Sequence, residues 1–125
     1  MSAVEKALAA APLFRALSPE DRARLAAVCV VKSYEKGDTV FSEGDPSDFL
    51  FTIVTGRVKV VKLVPPGREV ILEIFSRGDP VGAVVAYEGR PYPASAIAIE
   101  RASCLLVRRA AFFELLERHP SFVRG

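Results

Sequence analysis

Gly78-Asp79-Pro80-Val81-Gly82-Ala83-Val84-Val85-Ala86-Tyr87-Glu88-Gly89-Arg90-Pro91-Tyr92-Pro93-Ala94-Ser95-Ala96-Ile97-Ala98 decides how the rest of the chain is read. A strand ends at Gly82, and the small residues Ala83-Val84-Val85-Ala86 that follow are too few for a stable free helix but enough for one helical turn between strands. A loop bearing Tyr and Pro comes next, and a new strand opens at Pro93-Ala94-Ser95-Ala96. The free N–H groups of such a turn converge, and Ser95 offers a hydroxyl opposite them, which is the layout of a small-anion cradle. The candidate ligand-binding residues are therefore Gly82, Ala83, Val84, Val85, Pro93, Ala94, Ser95 and Ala96. The plainer alternative is that small residues here only let two strands approach closely, which needs no ligand. No carboxylate or guanidinium occupies the positions where the cradle would grip a charged group.

Outward from this stretch, the sequence reads as short β-branched runs separated by Gly, Asp and Pro clusters. Strands are expected at 28–34, 38–42, 49–55, 57–64, 69–75, 80–82, 94–99 and 102–108. Eight strands in roughly 80 residues predict an antiparallel sandwich or roll. Turns fall at Lys36-Gly37-Asp38, Glu43-Gly44-Asp45-Pro46, Thr55-Gly56-Arg57 and Pro65-Pro66-Gly67-Arg68. On the run from 57 to 62, Arg57, Lys59 and Lys62 alternate with valines and are read as a solvated face opposite a buried one, in preference to a nucleic-acid stripe. Tyr87, Pro91, Tyr92 and Pro93 form a loop that either clamps a ligand or packs over the sheet, and the sequence leaves both open.

Helical period holds only at the two ends. Val4, Leu8 and Ala11 share one face of a short helix that Pro12 stops, and Leu13-Phe14 docks after it as an apolar plug. Ser18-Pro19-Glu20-Asp21 starts a second helix with Ser as N-cap, Pro at its first position and acids in its first turn, Asp21 standing at the capping-box position. Leu25, Ala26 and Val28 give that helix its apolar side. From Arg109 to His119 a third helix turns Phe112, Leu115 and Leu116 inward, with Glu114, Glu117 and Arg118 outside and Pro120 closing it.

Composition narrows the function classes. A chain of 125 residues is one domain, and a net charge of +2 gives no footprint for nucleic acid, which needs several cations gathered on one face. Cys29 and Cys104 lie inside apolar runs and are read as small buried hydrophobes. No apolar run approaches the roughly 18 residues that a membrane span requires, and no signal peptide opens the chain, so the cytoplasm is the expected location. Asn, Gln and Trp are absent, which fits a thermophilic source and equally a GC-rich codon bias. No enzyme is expected: the single histidine, His119, sits at a helix end where a cation suits the dipole, and no zinc spacing, nucleophile elbow or glycine-rich phosphate loop is present.

The order of features resembles the sensor domain of Crp/Fnr-type transcription regulators. Pro12-Leu13-Phe14, Leu17-Ser18-Pro19-Glu20, Tyr34-Glu35-Lys36-Gly37-Asp38 and Phe41-Ser42-Glu43-Gly44-Asp45 carry the likeness, as do Thr55-Gly56-Arg57-Val58-Lys59-Val60 and Arg77-Gly78-Asp79 with Val81-Gly82. Tyr92-Pro93-Ala94-Ser95-Ala96 and the closing run from Phe112 to Pro120 complete it. The resemblance implies a cyclic-nucleotide-binding β-roll, a mainly β, cupin-like antiparallel jelly roll with short α-helices at both ends. In members that bind cyclic AMP, a Gly-Glu pair holds the ribose hydroxyl and an Arg before Ser-Ala pairs with the cyclic phosphate. Here those places read Gly82-Ala83 and Ala94-Ser95-Ala96, so the resemblance implies a degenerate pocket and weak cyclic-nucleotide binding. The lost charge-assisted contacts are together worth a few kcal/mol, on the order of one or more powers of ten in affinity.

Iron–sulfur sensing needs more cysteines than two, while a haem held by one protein ligand stays open. The resemblance further implies that a long dimerisation helix and a winged helix-turn-helix follow this domain in the full protein. They would make it a homodimer that reaches DNA through a C-terminal domain missing here. The alternative is a stand-alone module that binds a small-molecule effector and acts through a partner protein.

Overall fold

Eight strands form two four-stranded antiparallel sheets in the computed structural model of the chain, which describes residues 2–11, 14 and 17–118 and, within these, all side chains but those of Ala83 and Val84. The strands are β1 (Cys29–Tyr34), β2 (Thr39–Phe41), β3 (Phe49–Thr55), β4 (Val58–Val64), β5 (Arg68–Phe75), β6 (Pro80–Val81), β7 (Ser95–Ala98) and β8 (Ala102–Arg108). One sheet runs β1-β8-β3-β6 and the other β2-β7-β4-β5. Four helices are described: α1 (Ala3–Ala10), α2 (Pro19–Ala26), α3 (Ala83–Glu88) and α4 (Arg109–Arg118). The expected jelly roll is the observed fold, and no strand end differs from expectation by more than one residue.

The strand β8 explains why the roll has two cores. It is central, paired with β1 on one edge and β3 on the other, and both its faces meet apolar clusters, so its sequence is apolar without alternation. Cys104 and Leu106 enter the space between the sheets, packing with Tyr34, Phe41, Phe51, Ile53, Val58 and Tyr92. Leu105 and Val107 face the other way, into a cluster with Leu8, Ala11, Phe14, Leu17 and Leu25. That outer cluster is roofed by the helices. Ser18 caps α2 by accepting from the Asp21 N–H at 3.1 Å, which seats Leu25 with no exposure at all. The Asp21 carboxylate pairs with Arg24 at 2.7 Å. Phe14 meets Phe112 of α4 edge-on at 6.5 Å, and Leu115 and Leu116 pack on the same cluster as expected.

Two expectations need correction and others lie outside the described residues. The turn after Gly82 is longer than one turn: α3 continues through Tyr87 to Glu88 because Gly89, at φ 72°, supplies the left-handed residue that ends it. Lys62 is exposed, as a solvated face requires, but it is out of step with Arg57 and Lys59: along β4, whose pairing with β7 is regular while β5 slips by one residue opposite Val60 and Val61, it alternates with Val58 and Val60, which pack toward the inner core. Pro12, Leu13, His119 and Pro120 fall outside the described residues, and with them the stop of α1, part of the plug and the histidine at the end of α4.

Candidate functional site

The two halves of the candidate cradle meet across one aromatic ring. Tyr92 is buried, stacks on Phe41 with centroids 3.8 Å apart and planes 11° apart, and donates its hydroxyl to the Phe49 carbonyl at 3.0 Å. Burial pushes its phenol up to about 12, with Asp48 and Asp45 adding to the shift. The loop's two open roles are thus divided: Tyr92 packs beneath the cradle, whereas Tyr87 is exposed and leans on Phe113 of α4 at 5.6 Å.

Gly82 is required by this ring. Its φ of 69° is left-handed, and a Cβ there would stand 3.0 Å from Tyr92 Cε1 and 3.6 Å from Phe41 Cζ. From Gly82, α3 returns over the inner core, with Val85 packed against it and Ala86 fully buried. Ala83 and Val84 occupy the first turn of α3.

The second half is pinned by the loop after β2. Tyr92 N–H donates to the Asp45 carbonyl at 3.0 Å, and Gly44 N–H donates to the Tyr92 carbonyl at 2.8 Å. Ser47 Oγ donates to the Arg90 carbonyl at 2.6 Å. Ser95 Oγ accepts from Glu43 N–H at 2.9 Å, so the serine anchors that turn and has its hydroxyl proton left to donate. Ala94 and Ala96 are buried, and Ala96 lies between Phe41 of β2 and Val60 of β4. Pro93 is exposed, and its carbonyl accepts from Lys62 Nζ at 3.2 Å.

The structure therefore brings Gly82, Val85 and Ala96 onto one buried aromatic floor, and sets Pro93 and Ser95 at its rim. Sequence reasoning missed two residues beside this floor. Lys62 is one, and its signal was present as the even register it shares with Val58 and Val60. The other is Arg109, the first residue of α4. Its Nε donates to the Ala86 carbonyl, a terminal ηN lies 3.4 Å from the Tyr87 carbonyl, and the guanidinium sits 4.7 Å over the Phe113 ring. The carboxyl end of α3 is thereby tied to the start of α4, a link between distant residues that no local pattern announces.

The thiols Cys29 and Cys104 are buried and free, and burial pushes both up to about 12. No set of three His, Cys, Asp or Glu among the described residues is placed to hold a metal ion. Among them, too, no helix is long and apolar enough to cross a membrane.

Residues 31–119 match the cyclic nucleotide-binding domain family. Over 117 residues the chain is 30% identical to the CRP-like cAMP-activated global transcriptional regulator of Mycobacterium tuberculosis, covering 94% of this chain and 52% of that protein. The chain thus spans about half the length of this curated relative. The crystal structure of the N-terminal domain of a transcriptional regulator from Streptomyces coelicolor superposes with a TM-score of 0.82 at 30% identity, covering 94% of this chain and 82% of that one. The sensor domain of the transcriptional regulator DNR from Pseudomonas aeruginosa gives a TM-score of 0.81 at 26% identity, with coverage of 95% and 80%.

Proposed function

The chain belongs to the cyclic nucleotide-binding domain family and stands close to the sensor domains of Crp/Fnr-type regulators, and on that premise we propose that it is the effector-sensing domain of such a regulator, with a degenerate pocket that holds cyclic AMP weakly. The observation that carries this reading is the pairing of an intact scaffold with missing grips. Gly82, Tyr92 and Phe41 build the floor, while alanine occupies both position 83 and position 94. The M. tuberculosis relative is named for activation by cAMP. Those two alanines stand where the nucleotide-gripping pattern of the family places its charged side chains.

The signal route follows from Arg109. A small-molecule effector that shifts α3 acts on α4 through the bonds to the Ala86 and Tyr87 carbonyls, and a two-state displacement of α4 is the output. In the whole protein that output passes to a dimerisation helix and a C-terminal DNA-binding domain, and the protein is a homodimer. No cofactor is assigned to the domain, and it works in the cytoplasm.

Calorimetric titration with cyclic AMP and cyclic GMP tests the reading. No saturable heat at micromolar ligand is expected, and micromolar or tighter binding would overturn the degenerate pocket. The complementary arm is the double substitution Ala83→Glu with Ala94→Arg. If the backbone is preorganised, cyclic-nucleotide affinity appears; if nothing binds, the floor is closed to nucleotides for reasons beyond the two grips.

A further inference from the structure

The three cations at 57, 59 and 62 are not equivalent. Arg57 Nε is paired with Glu100 at 2.6 Å and Lys59 Nζ with Glu69 at 2.6 Å. Lys62 has no carboxylate partner among the described residues; its bond goes to the Pro93 carbonyl at 3.2 Å, the group that adjoins the Ala94 amide. Since Val58 is wholly buried and Val60 packs on the inner core, Lys62, two residues further along β4, continues the inner face toward its rim. Its neighbour across the ladder is Val70, and the next strand on the other side begins at Ser95, opposite Val61. An ammonium that reaches a neutral carbonyl keeps its full positive charge and still has two N–H donors to give.

We propose that Lys62 is the anion-binding group of this pocket, supplied from β4 rather than from the loop before β7, and that the ligand is an oxyanion, phosphate or carboxylate, borne on an apolar body. The assignment rests on the reading of the cradle as an effector site. The apolar requirement comes from the surroundings, since Val60, Val70 and Phe75 are the partly buried side chains of the same β4–β5 surface. Glu73, opposite Val60, is the carboxylate of that face and forms no ion pair with Lys62. Its charge offsets the ammonium over longer range, which makes the affinity modest and strongly dependent on salt.

Two probes separate the possible sources of the oxyanion: cyclic AMP for a phosphodiester and benzoate for a carboxylate. Each is titrated into the whole chain while the amide NMR signals of Ala94, Ser95 and Ala96 are followed. At least one probe is expected to shift those signals with millimolar half-saturation. Lys62→Gln should weaken that half-saturation about tenfold, while Lys62→Arg stays close to the parent. The melting temperature of Lys62→Gln should match the parent, since the side chain is exposed and its one bond lies at the surface. An unchanged half-saturation in Lys62→Gln overturns the assignment, and so does the failure of both probes to move the three amides. Micromolar binding of cyclic AMP to the parent would instead refute the degenerate-pocket reading, and Lys62→Gln would still report separately on the lysine.

Discussion

The two cores that β8 separates are built from different material. The inner one mixes large rings with very small residues: Phe41, Phe51 and Tyr92 lie against Ala96, Ala98 and Ala102. The outer one is mainly aliphatic and helical, with Leu8, Leu17 and Leu25 closing on Leu105 and Val107 and a single ring pair, Phe14 with Phe112, at its edge. Rings set beside alanines give a floor whose shape is fixed by a few flat surfaces, whereas interdigitated leucines give cohesion that no single contact dictates. The inner core therefore shapes the cradle, and the outer core holds the helices onto the sheet.

The largest way to break this division is alkali. Tyr34, Tyr92 and Cys104 lie in the inner core and Cys29 in the outer, and burial raises all four to about 12 from 10.0 for the phenols and 9.0 for the thiols. Each holds its proton more tightly folded than unfolded, so stability is intact below pH 9 and falls as pH rises from 9 through 10 toward 12. Urea midpoints measured between pH 8 and 11 should fall steadily. Cys104→Ala should flatten the fall by removing one inner-core group.

Next in size is Leu25→Ala, which empties a fully buried site of the outer core and should cost about 2–5 kcal/mol in urea unfolding. If the division of labour is right, the amide shifts of Ala94 to Ala96 in the folded variant stay at their parent positions. Gly82→Ala is smaller in stability and larger at the site. Its left-handed φ and the 3.0 Å approach to Tyr92 Cε1 predict a loss of about 1–3 kcal/mol together with displaced ring signals of Tyr92. Tyr92→Phe keeps the stack on Phe41 and removes only the bond to the Phe49 carbonyl, for about 1 kcal/mol. The smallest effect is Arg57→Ala. Its pair with Glu100 is half-exposed on both sides, and a change above about 0.5 kcal/mol would contradict the assignment of that cation to the solvated face.

Much of the inner frame was legible in the residues. β-Branched runs between Gly and Asp turns gave all eight strands, because a ladder imposes period two on each run separately and each turn declares itself locally. Ser18-Pro19 marked the start of α2 for the same reason. Less legible were facts that depend on what lies across a gap. Lys62 looked like one more surface cation until its phase with Val58 was set beside the position of Pro93. Arg109 read as an ordinary first residue of a helix, since its partners Ala86 and Tyr87 lie more than twenty positions away. The length of α3 was underestimated because Gly89 could be read as part of the loop as readily as the end of a helix.

The junction at Arg108 and Arg109 has a mechanical side. The strand β8 ends at one and α4 begins at the other, so the arginine that grips α3 grows from the foot of α4. A swing of α4 about that foot carries the guanidinium across the end of α3, and α3 cannot lift off the sheet without letting go of it. The two helices share one pivot pin, mounted at the end of a strand held on both its edges.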